Sequence, residues 1–305
     1  MDNKNDIIKK IYQDAAGFGS IKTTFEDARK VDKSITLNDI KQFFQQNVEN
    51  KKQLKGNNTF VAPYPHYEYQ LDLFFIPDDE FLENQQFKVG MLIIDVFTRY
   101  MVVVPIKSKS EKTGDIAAGL IECFHKMKVK PAILYTDDES SLSSDDIQKY
   151  LKEQNIKHII SRSKAWFAER AIRTFKDMLY KRIEHNKNKN VQWNSFIYEI
   201  LLTYNNKLKK YTTKYTPAQA VLPENQLNVK LNLLLNKKHT RIYPLIQPSD
   251  KVRILRKKKI NEKERHSTWL NGIHEVEKIT NSLGITYFKL KGLDRLYMRN
   301  ELIKL

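Results

Sequence analysis

Tyr67-Glu-Tyr-Gln-Leu-Asp-Leu-Phe-Phe-Ile76 is the stretch on which the reading of this chain turns. Its dense apolar positions are those of a buried strand, yet Asp72 stands in the middle, flanked by Leu71, Leu73, Phe74 and Phe75. A carboxylate buried in a strand is costly unless it is paired or holds a metal. Two further acids fall where they could converge on it. Asp137 closes a second apolar run, Ala132-Ile-Leu-Tyr-Thr-Asp137, and Glu169 opens a basic amphipathic stretch, Ala168-Glu-Arg-Ala-Ile-Arg-Thr-Phe-Lys176. Taken singly, Asp137 also reads as a turn acid after a strand, and Glu169 as a first-turn residue favoured by the helix dipole. Asp72 is the hardest of the three to explain without a ligand.

Outward from this stretch, residues 89–97 and 100–106 read as a strand pair around the tight turn Thr98-Arg99. Residues 109–127 read as a helix with Ile116, Leu120, Ile121 and Phe124 on one side, and residues 132–136 as a buried strand. A helix over 144–154, a short strand over 157–161 and helices over 167–185 and 193–206 follow. The order β-β-β-α-β-α-β-α predicts an α/β unit, a mixed sheet with helices packed on it. Asp95, inside Leu92-Ile-Ile-Asp-Val-Phe97, reads as the cap of the following turn, and Asp78, Asp79 and Glu80 as a solvated turn. Asp138 and Glu139 adjoin Asp137 and leave a shifted assignment open.

The flanks differ from this core. Residues 1–60 read as short helices interrupted by Gly17 and Gly19, with Thr36-Leu-Asn-Asp39 as a capping box before Ile40, Phe43 and Phe44. A helix-turn-helix DNA-binding unit and a plain helical packing module fit this pattern equally. Pro63 and Pro65 end it. Residues 61–222 form the predicted core, 223–248 an Asn-, Leu- and Lys-rich linker, and 249–305 a small domain. Short strands over 251–255, 274–280, 286–290 and 295–298, punctuated by Asn271-Gly272, Leu283-Gly284 and Gly292, predict that this last domain is a small β-barrel.

The chain carries 53 Lys+Arg against 36 Asp+Glu, a net charge of +17, which points to a polyanionic partner. Residues 224–305 hold 18 Lys+Arg and 8 Asp+Glu, so 18 − 8 = +10 of that charge lies in the last quarter. Cys123 is the single cysteine, so no disulfide framework exists and an intracellular setting is expected. The first residues are too polar for a signal peptide, and the longest apolar run, 91–105, is broken by Asp95 and Arg99, so no membrane partner is expected.

Phosphodiester transfer needs an activated oxygen, an in-line leaving oxygen and relief of the charge between them, which two divalent cations ~3.5–4 Å apart provide. Hard cations such as Mg²⁺ take oxygen ligands, which is what Asp72, Asp137 and Glu169 offer. On the helix that Glu169 opens, Arg173 at +4 and Lys176 at +7 share its face, and with Arg170 they make a cationic row suited to phosphates. Arg256-Lys-Lys-Lys259, with Lys263 and Arg265, is a basic hairpin loop that could grip phosphates, serve as an import signal or stay solvated; phosphate contact is preferred. Ser161-Arg-Ser-Lys-Ala-Trp166 reads as a loop over the site, with Lys164 able to touch the substrate strand. Trp269 reads as a barrel-core residue rather than a stacking one, and His158, His185 and His274 as structural.

At these residues the chain resembles the retrovirus-like integrases of the DDE class. Thr136-Asp137 matches the family's strand-end Thr-Asp, and Glu169-Arg-Ala-Ile-Arg-Thr-Phe-Lys176 its Glu-Arg-x-x-Arg-Thr-x-Lys helix. Tyr204-Asn-Asn206 followed by Thr216-Pro-Ala-Gln-Ala220 is similar to its later Tyr-Asn and Thr-Pro. Beyond the core, Trp269, Val276, Tyr287-Phe-Lys-Leu290 and Asn300-Glu-Leu302 resemble the domain that follows the core in integrases of Maverick/Polinton elements and virophages. The resemblance implies an RNase H-like catalytic core with a mixed five-stranded sheet and flanking helices, and a chromo/Tudor-like barrel that binds DNA or chromatin. It implies two Mg²⁺ or Mn²⁺ ions on Asp72, Asp137 and Glu169, and a homo-multimer holding double-stranded element termini and target DNA. The setting it implies is the host nucleus, with packaging in a virus particle as a further expectation. Water would trim the 3′ end, and the freed hydroxyl would attack target DNA, with no covalent intermediate or ATP.

Two departures accompany the likeness. Before Asp72 the chain offers only His66 and no cysteine, so no structural zinc is expected. Glu139 stands where the family has Gly two residues after the second Asp, and the spacing 169 − 137 = 32 is a few residues short of the retroviral one. A catalytically silent, domesticated DNA- or chromatin-binding descendant and a metal-dependent nuclease on the same fold are the alternatives.

Overall fold

The computed structural model describes residues 4–47, 56–77, 85–110, 114–161, 165–186, 191–256 and 268–305. It divides into two compact units, Met1–Lys55 and Gly56–Leu305. The first holds α1 (Lys4–Tyr12), α2 (Ile21–Val31) and α3 (Leu37–Asn47), whose apolar faces close around Ile8, Ala28, Ile35, Ile40, Phe43 and Phe44. The capping box read from the sequence opens α3. Asp39 N–H donates to Thr36 Oγ1 at 3.2 Å and Thr36 N–H to Asp39 Oδ2 at 2.8 Å.

In the second unit the stretch around Asp72 is β1 (Glu68–Phe75). On one side it pairs antiparallel with β2 (Val89–Asp95), which pairs antiparallel with β3 (Met101–Ile106). On the other it pairs parallel with β4 (Ile133–Asp137), itself parallel to β5 (Lys157–Ser161). The order β3-β2-β1-β4-β5 is the expected mixed five-stranded sheet of RNase H-like type. The β2–β3 reversal turns at Arg99, whose φ is 67°. Asp95 caps it, accepting from Phe97 N–H at 2.8 Å and Thr98 Oγ1 at 2.9 Å. Parallel joins need long crossovers, and helices α4 (Asp115–Met127) and α5 (Asp145–Glu153) supply them.

Successive strand residues face opposite sides of a sheet, so β1 serves two cores. Tyr69, Leu71 and Leu73 pack with Met91, Ile93 and the apolar faces of α4 and α5. Phe74 and Ile76 pack on the other side with Leu92, Val103, α6 (Trp166–His185) and α7 (Ile197–Asn206). On α6 the sheet-facing stripe is Ala168, Ala171, Phe175, Leu179 and Ile183. Its first members are small, which lets the start of the helix lie close to β1. Gly90 is required opposite Phe74, since a Cβ there would stand 2.1 Å from the Phe74 ring.

The structure departs from the sequence reading in several places. Helix α4 begins at Asp115 rather than at 109. The helix expected from 193 enters through a 3₁₀ turn, Trp193–Phe196, which buries Trp193 against Phe74 and Phe175. Short helix α8 (Pro217–Val221) is followed by α9 (Pro223–Leu235), so half of the expected linker is helical. Its Pro223 sits at the helix start, where proline is tolerated. Val229 and Leu233 are buried while Leu227, Leu231, Leu234 and Leu235 are exposed, so the apolar residues of α9 are spread over several faces and show no period in the sequence.

The expected chromo/Tudor-like barrel does not form. Strands β6 (Lys251–Ile254), β7 (His274–Ser282), β8 (Ile285–Leu290), β9 (Leu296–Met298) and β10 (Leu302–Lys304) make an open antiparallel sheet, ordered β10-β6-β7-β8-β9. Closure would need hydrogen bonds between β9 and β10, and among the described residues none pairs them. These strands are three residues each, and the 3₁₀ turn Arg299–Glu301 sends the chain from one edge to the other. The sheet's core is Val252, Ile254, Val276, Phe288, Leu290, Tyr297 and Leu302. Trp269 is only half-buried and joins Leu255 through an isolated bridge.

Candidate active site

The β1–β4 ladder runs as far as Leu71 opposite Thr136. One step further stand Asp72 and Asp137, on strands ~4.8 Å apart. Even-numbered residues of β1 face α6: Gln70 Oε1 accepts the Phe167 N–H at 2.9 Å and Phe74 meets Phe175. Tyr135 packs into the same core, and the period of two puts Asp137 on that face as well. Helix α6 brings Glu169 to this side. Midway along the helix Lys176 Nζ donates to Phe75 O at 2.9 Å. The helix is therefore pinned to β1 on both sides of the Asp72–Glu169 level.

The electrostatics show that these acids sense one another. Burial pushes the Asp72 carboxyl up to about 7; Asp137 adds to this, the Leu73 N–H at 2.8 Å opposes it, and Glu169 and Glu139 add further. Among the described residues, no three His, Cys, Asp or Glu side chains stand close enough together, as they are turned here, to hold a metal ion. The donor set itself, three carboxylates, suits a hard cation. Asp138 and Glu139 are turned to other partners. Asp138 lies 3.7 Å from Arg295, and Glu139 pairs with Lys109, whose ammonium is 5.4 Å from the centre of the Phe75 ring.

Of the expected DNA contacts, Arg170 and Arg173 are exposed on α6. Lys176 is half-buried, bound to Phe75 O and 5.6 Å from the Phe74 ring centre, and burial lowers its pKa. Arg256 lies past the end of β6, on the second sheet, where its N–H donates to Thr268 O at 2.9 Å. Lys164, Lys257, Lys258 and Lys259, with Lys263 and Arg265, lie outside the described residues.

The sequence reading gave no site role to the other groups that shape the site. Glu68 and Gln70 share the α6-facing side of β1, with Gln70 Nε2 donating to Glu68 Oε1 at 3.0 Å. Burial pushes Glu68 up to about 7. The Arg99 guanidinium lies 4.0 Å from the Phe167 ring centre. Together they fix the first turn of α6, two residues before Glu169. The period-two parity of Glu68, Gln70 and Asp72 was the available signal. His158, lowered to about 4 by burial, is held between Gln148 Nε2 at 2.7 Å and Thr136 Oγ1 at 2.9 Å. Because an amide nitrogen only donates, Nδ1 accepts and Nε2–H donates to the Thr136 hydroxyl, beside Asp137. Nothing in the sequence marked Lys109 or Arg295.

No protein-family model and no curated protein matches the chain. Solved structures do. The cryo-electron microscopy structure of the simian T-cell lymphotropic virus intasome, in complex with PP2A regulatory subunit B56 gamma, aligns over 92% of this chain and 94% of the matched one, with a TM-score of 0.59 at 13% identity. The fold is retroviral-integrase-like. Trimeric and dimeric forms of the HTLV-2 integrase catalytic core domain in complex with magnesium match 52% and 53% of this chain and 97% and 99% of theirs, at 18% and 17% identity and TM-scores of 0.44. At these identities the likeness is one of fold. Among the described residues no helix is long and apolar enough to cross a membrane.

Proposed function

We propose that the chain is a metal-dependent DNA strand transferase of the integrase type, which trims the 3′ ends of a mobile element or viral DNA and joins them to target DNA. The observation that carries this reading is Asp72. It is a carboxylate in mid-strand, pushed up to about 7 by burial and by Asp137, Glu169 and Glu139, on a retroviral-integrase-like fold. Mg²⁺ or Mn²⁺ ions held by Asp72, Asp137 and Glu169 would activate the attacking oxygen and stabilise the leaving one. The protein's own work is positioning. Gln70 and Lys176 fix α6 against β1 so that Glu169 stays level with Asp72. His158 orients Thr136 beside Asp137. Arg170 and Arg173, exposed on the outer turns of α6, would take substrate phosphates, with Lys164 and the basic residues Arg256, Lys257, Lys258 and Lys259 extending that track.

In this reading the partners are double-stranded element termini and target DNA, held by a homo-multimer that also contacts chromatin in the host nucleus. The intasome of the matched structure supports it. The likeness of Trp269, Val276, Tyr287 and Glu301-Leu302 to Maverick/Polinton and virophage integrases makes such an element the preferred source. The test is to incubate the protein with labelled duplexes ending in candidate termini, supercoiled target and Mg²⁺ or Mn²⁺, beside Asp72→Asn, Asp137→Asn and Glu169→Gln. Joined products that vanish in all three variants are expected. Cleavage without joining would mark a nuclease instead, and tight binding without products a silent DNA-binding descendant.

A further inference from the structure

We infer that Arg99, Arg170 and Lys210 form a phosphate-binding site, and that its ligand is a backbone phosphate of the DNA strand, roughly one or two nucleotides from the bond held at Asp72. The choice of DNA as the source of the phosphate rests on the proposed function. The site itself rests on geometry.

Arg99 stands where the backbone favours another residue. Its φ of 67° at the β2–β3 turn suits Gly or Asn. Any other residue held there stores strain, and such strain collects at ligand clamps. The guanidinium lies 4.0 Å from the Phe167 ring centre. Three elements meet around it. Helix α6 brings Arg170, which is exposed and adjoins Glu169. Helix α7 brings Tyr204, and Asn205 ties that end of the helix to β3, accepting the Met101 N–H at 3.0 Å and donating to the Met101 carbonyl at 2.9 Å. The loop after α7 brings Lys210, whose ammonium is 3.2 Å from the Tyr204 ring centre. The loop is fixed in turn. Lys210 N–H donates to Tyr215 O at 2.9 Å, and Asn232 of α9 donates to Thr213 O at 2.9 Å.

The three cations sense one another. Burial and Arg99 push Lys210 down to about 8. Burial lowers Arg99 to about 10; Tyr204 and Asp95 oppose this, Arg170 adds to it and Glu68 opposes it. Both acids are engaged elsewhere. Asp95 accepts from the Phe97 and His66 N–H groups and the Thr98 hydroxyl, and Glu68 accepts from Gln70. Among the described residues no carboxylate forms an ion pair with Arg99, Arg170 or Lys210. Converging cations that share no anion repel one another, and one bound phosphate replaces that repulsion with attraction. Two planar guanidinium groups and an ammonium suit its oxygens.

The position points to a strand rather than a lone anion. Gln70, which holds the Phe167 N–H, stands two residues, ~7 Å of strand, before Asp72. That is roughly two base steps of ~3.4 Å, on the face of the sheet that carries the carboxylates. Lys207, Lys209 and Lys214, exposed on the same loop, continue the positive charge.

The test uses the full chain without divalent metal, and duplex ends in which one phosphate at a time is replaced by an uncharged methylphosphonate. Wild type should lose about tenfold in binding at one or two linkages and little at the others. Arg99→Asn, which the turn accepts, and Lys210→Gln should each bind the unmodified end about tenfold more weakly and lower the salt slope by about one. Both should bind all the modified ends alike and melt near the wild-type temperature. Arg99→Lys should recover little, because an ammonium lacks the fork. A scan in which no linkage stands out, or an Arg99→Asn protein that keeps the wild-type pattern, overturns the inference. A flat scan with DNA displaced by inorganic phosphate overturns it too, by assigning the site to a free anion. A position-dependent scan from a protein that never joins DNA would leave the site standing and remove the transferase reading; joining with a flat scan would do the reverse.

Discussion

Two five-stranded sheets lie in the unit Gly56–Leu305, and they treat buried charge differently. The mixed sheet is covered by helices on both faces, and it accommodates Glu68, Gln70 and Asp95 fully buried and Asp72 half-buried. The C-terminal sheet is built of short antiparallel strands with Leu296 and Ile303 exposed. Among its described residues the buried acid is Glu301, met by Arg295 at 3.0 Å and by the Met298 N–H at 2.8 Å. Double coverage gives a sheet enough packing to hold carboxylates that repel one another. The C-terminal sheet holds its buried charge beside a counter-charge.

The largest effect expected from this contrast is on chemistry. Asp72→Asn, Asp137→Asn or Glu169→Gln should lower DNA joining by roughly a thousandfold or more with the fold intact, as read by product formation and circular dichroism. Joining that survives in Asp72→Asn would remove the mixed sheet's special role. Next, Trp193→Ala empties the space between Phe74 and Phe175 and should cost about 3–5 kcal/mol in chemical denaturation, more than Val276→Ala in the C-terminal sheet.

A pH series on Glu68 sharpens the comparison further. Its carboxyl is raised in the folded state from an ordinary 4.5 to about 7, so its contribution to stability is full below about 4.5 and is lost as pH rises to about 7. Glu68→Gln should remove that slope and raise stability at pH 8 by roughly 2–3 kcal/mol. Arg99 still keeps Asp95 as its counter-charge. An unchanged slope in the melting temperatures would show that Glu68 stays ionised in the fold. In the other sheet, Arg295→Ala should destabilise by about 1–2 kcal/mol. Arg295→Lys should not rescue it, because one ammonium cannot serve Asp138, Ile160 O and Glu301 together. Smallest of all, Arg256→Ala should leave stability alone and reduce the salt dependence of DNA binding by about one unit of slope.

Much of the mixed sheet was legible because its strands are short apolar runs bounded by turns, and because Asp95-Val-Phe-Thr-Arg99 carries its own capping acid. Helix α6 announced itself through the spacing of Ala168, Ala171, Phe175 and Leu179. The second sheet was legible as strands but not as a surface. Three-residue β10 is too short to show a period, and nothing in Arg299-Asn-Glu301 says that the chain crosses there from one edge to the other. In the site, the acids were visible one at a time, while the groups that fix them were not. Lys109 and Arg295 approach Glu139 and Asp138 from 30 residues upstream and 157 downstream (139 − 109 and 295 − 138), and such partners carry no local pattern.

The tie from Arg295 to the Ile160 carbonyl at 2.8 Å has a consequence for the protein's company rather than its chemistry. Strand β5 is an outer strand of the mixed sheet, and an unguarded outer strand is a template on which foreign strands can add. Here Arg295 takes one of its carbonyls, and Lys157 lies 4.1 Å from the Tyr287 ring centre. The opposite outer strand, β3, contains Pro105, which has no N–H to offer. The basic C-terminal sheet therefore guards β5 against strand-to-strand pairing with other copies, and a chain shortened before residue 251 would be expected to scatter light on concentration.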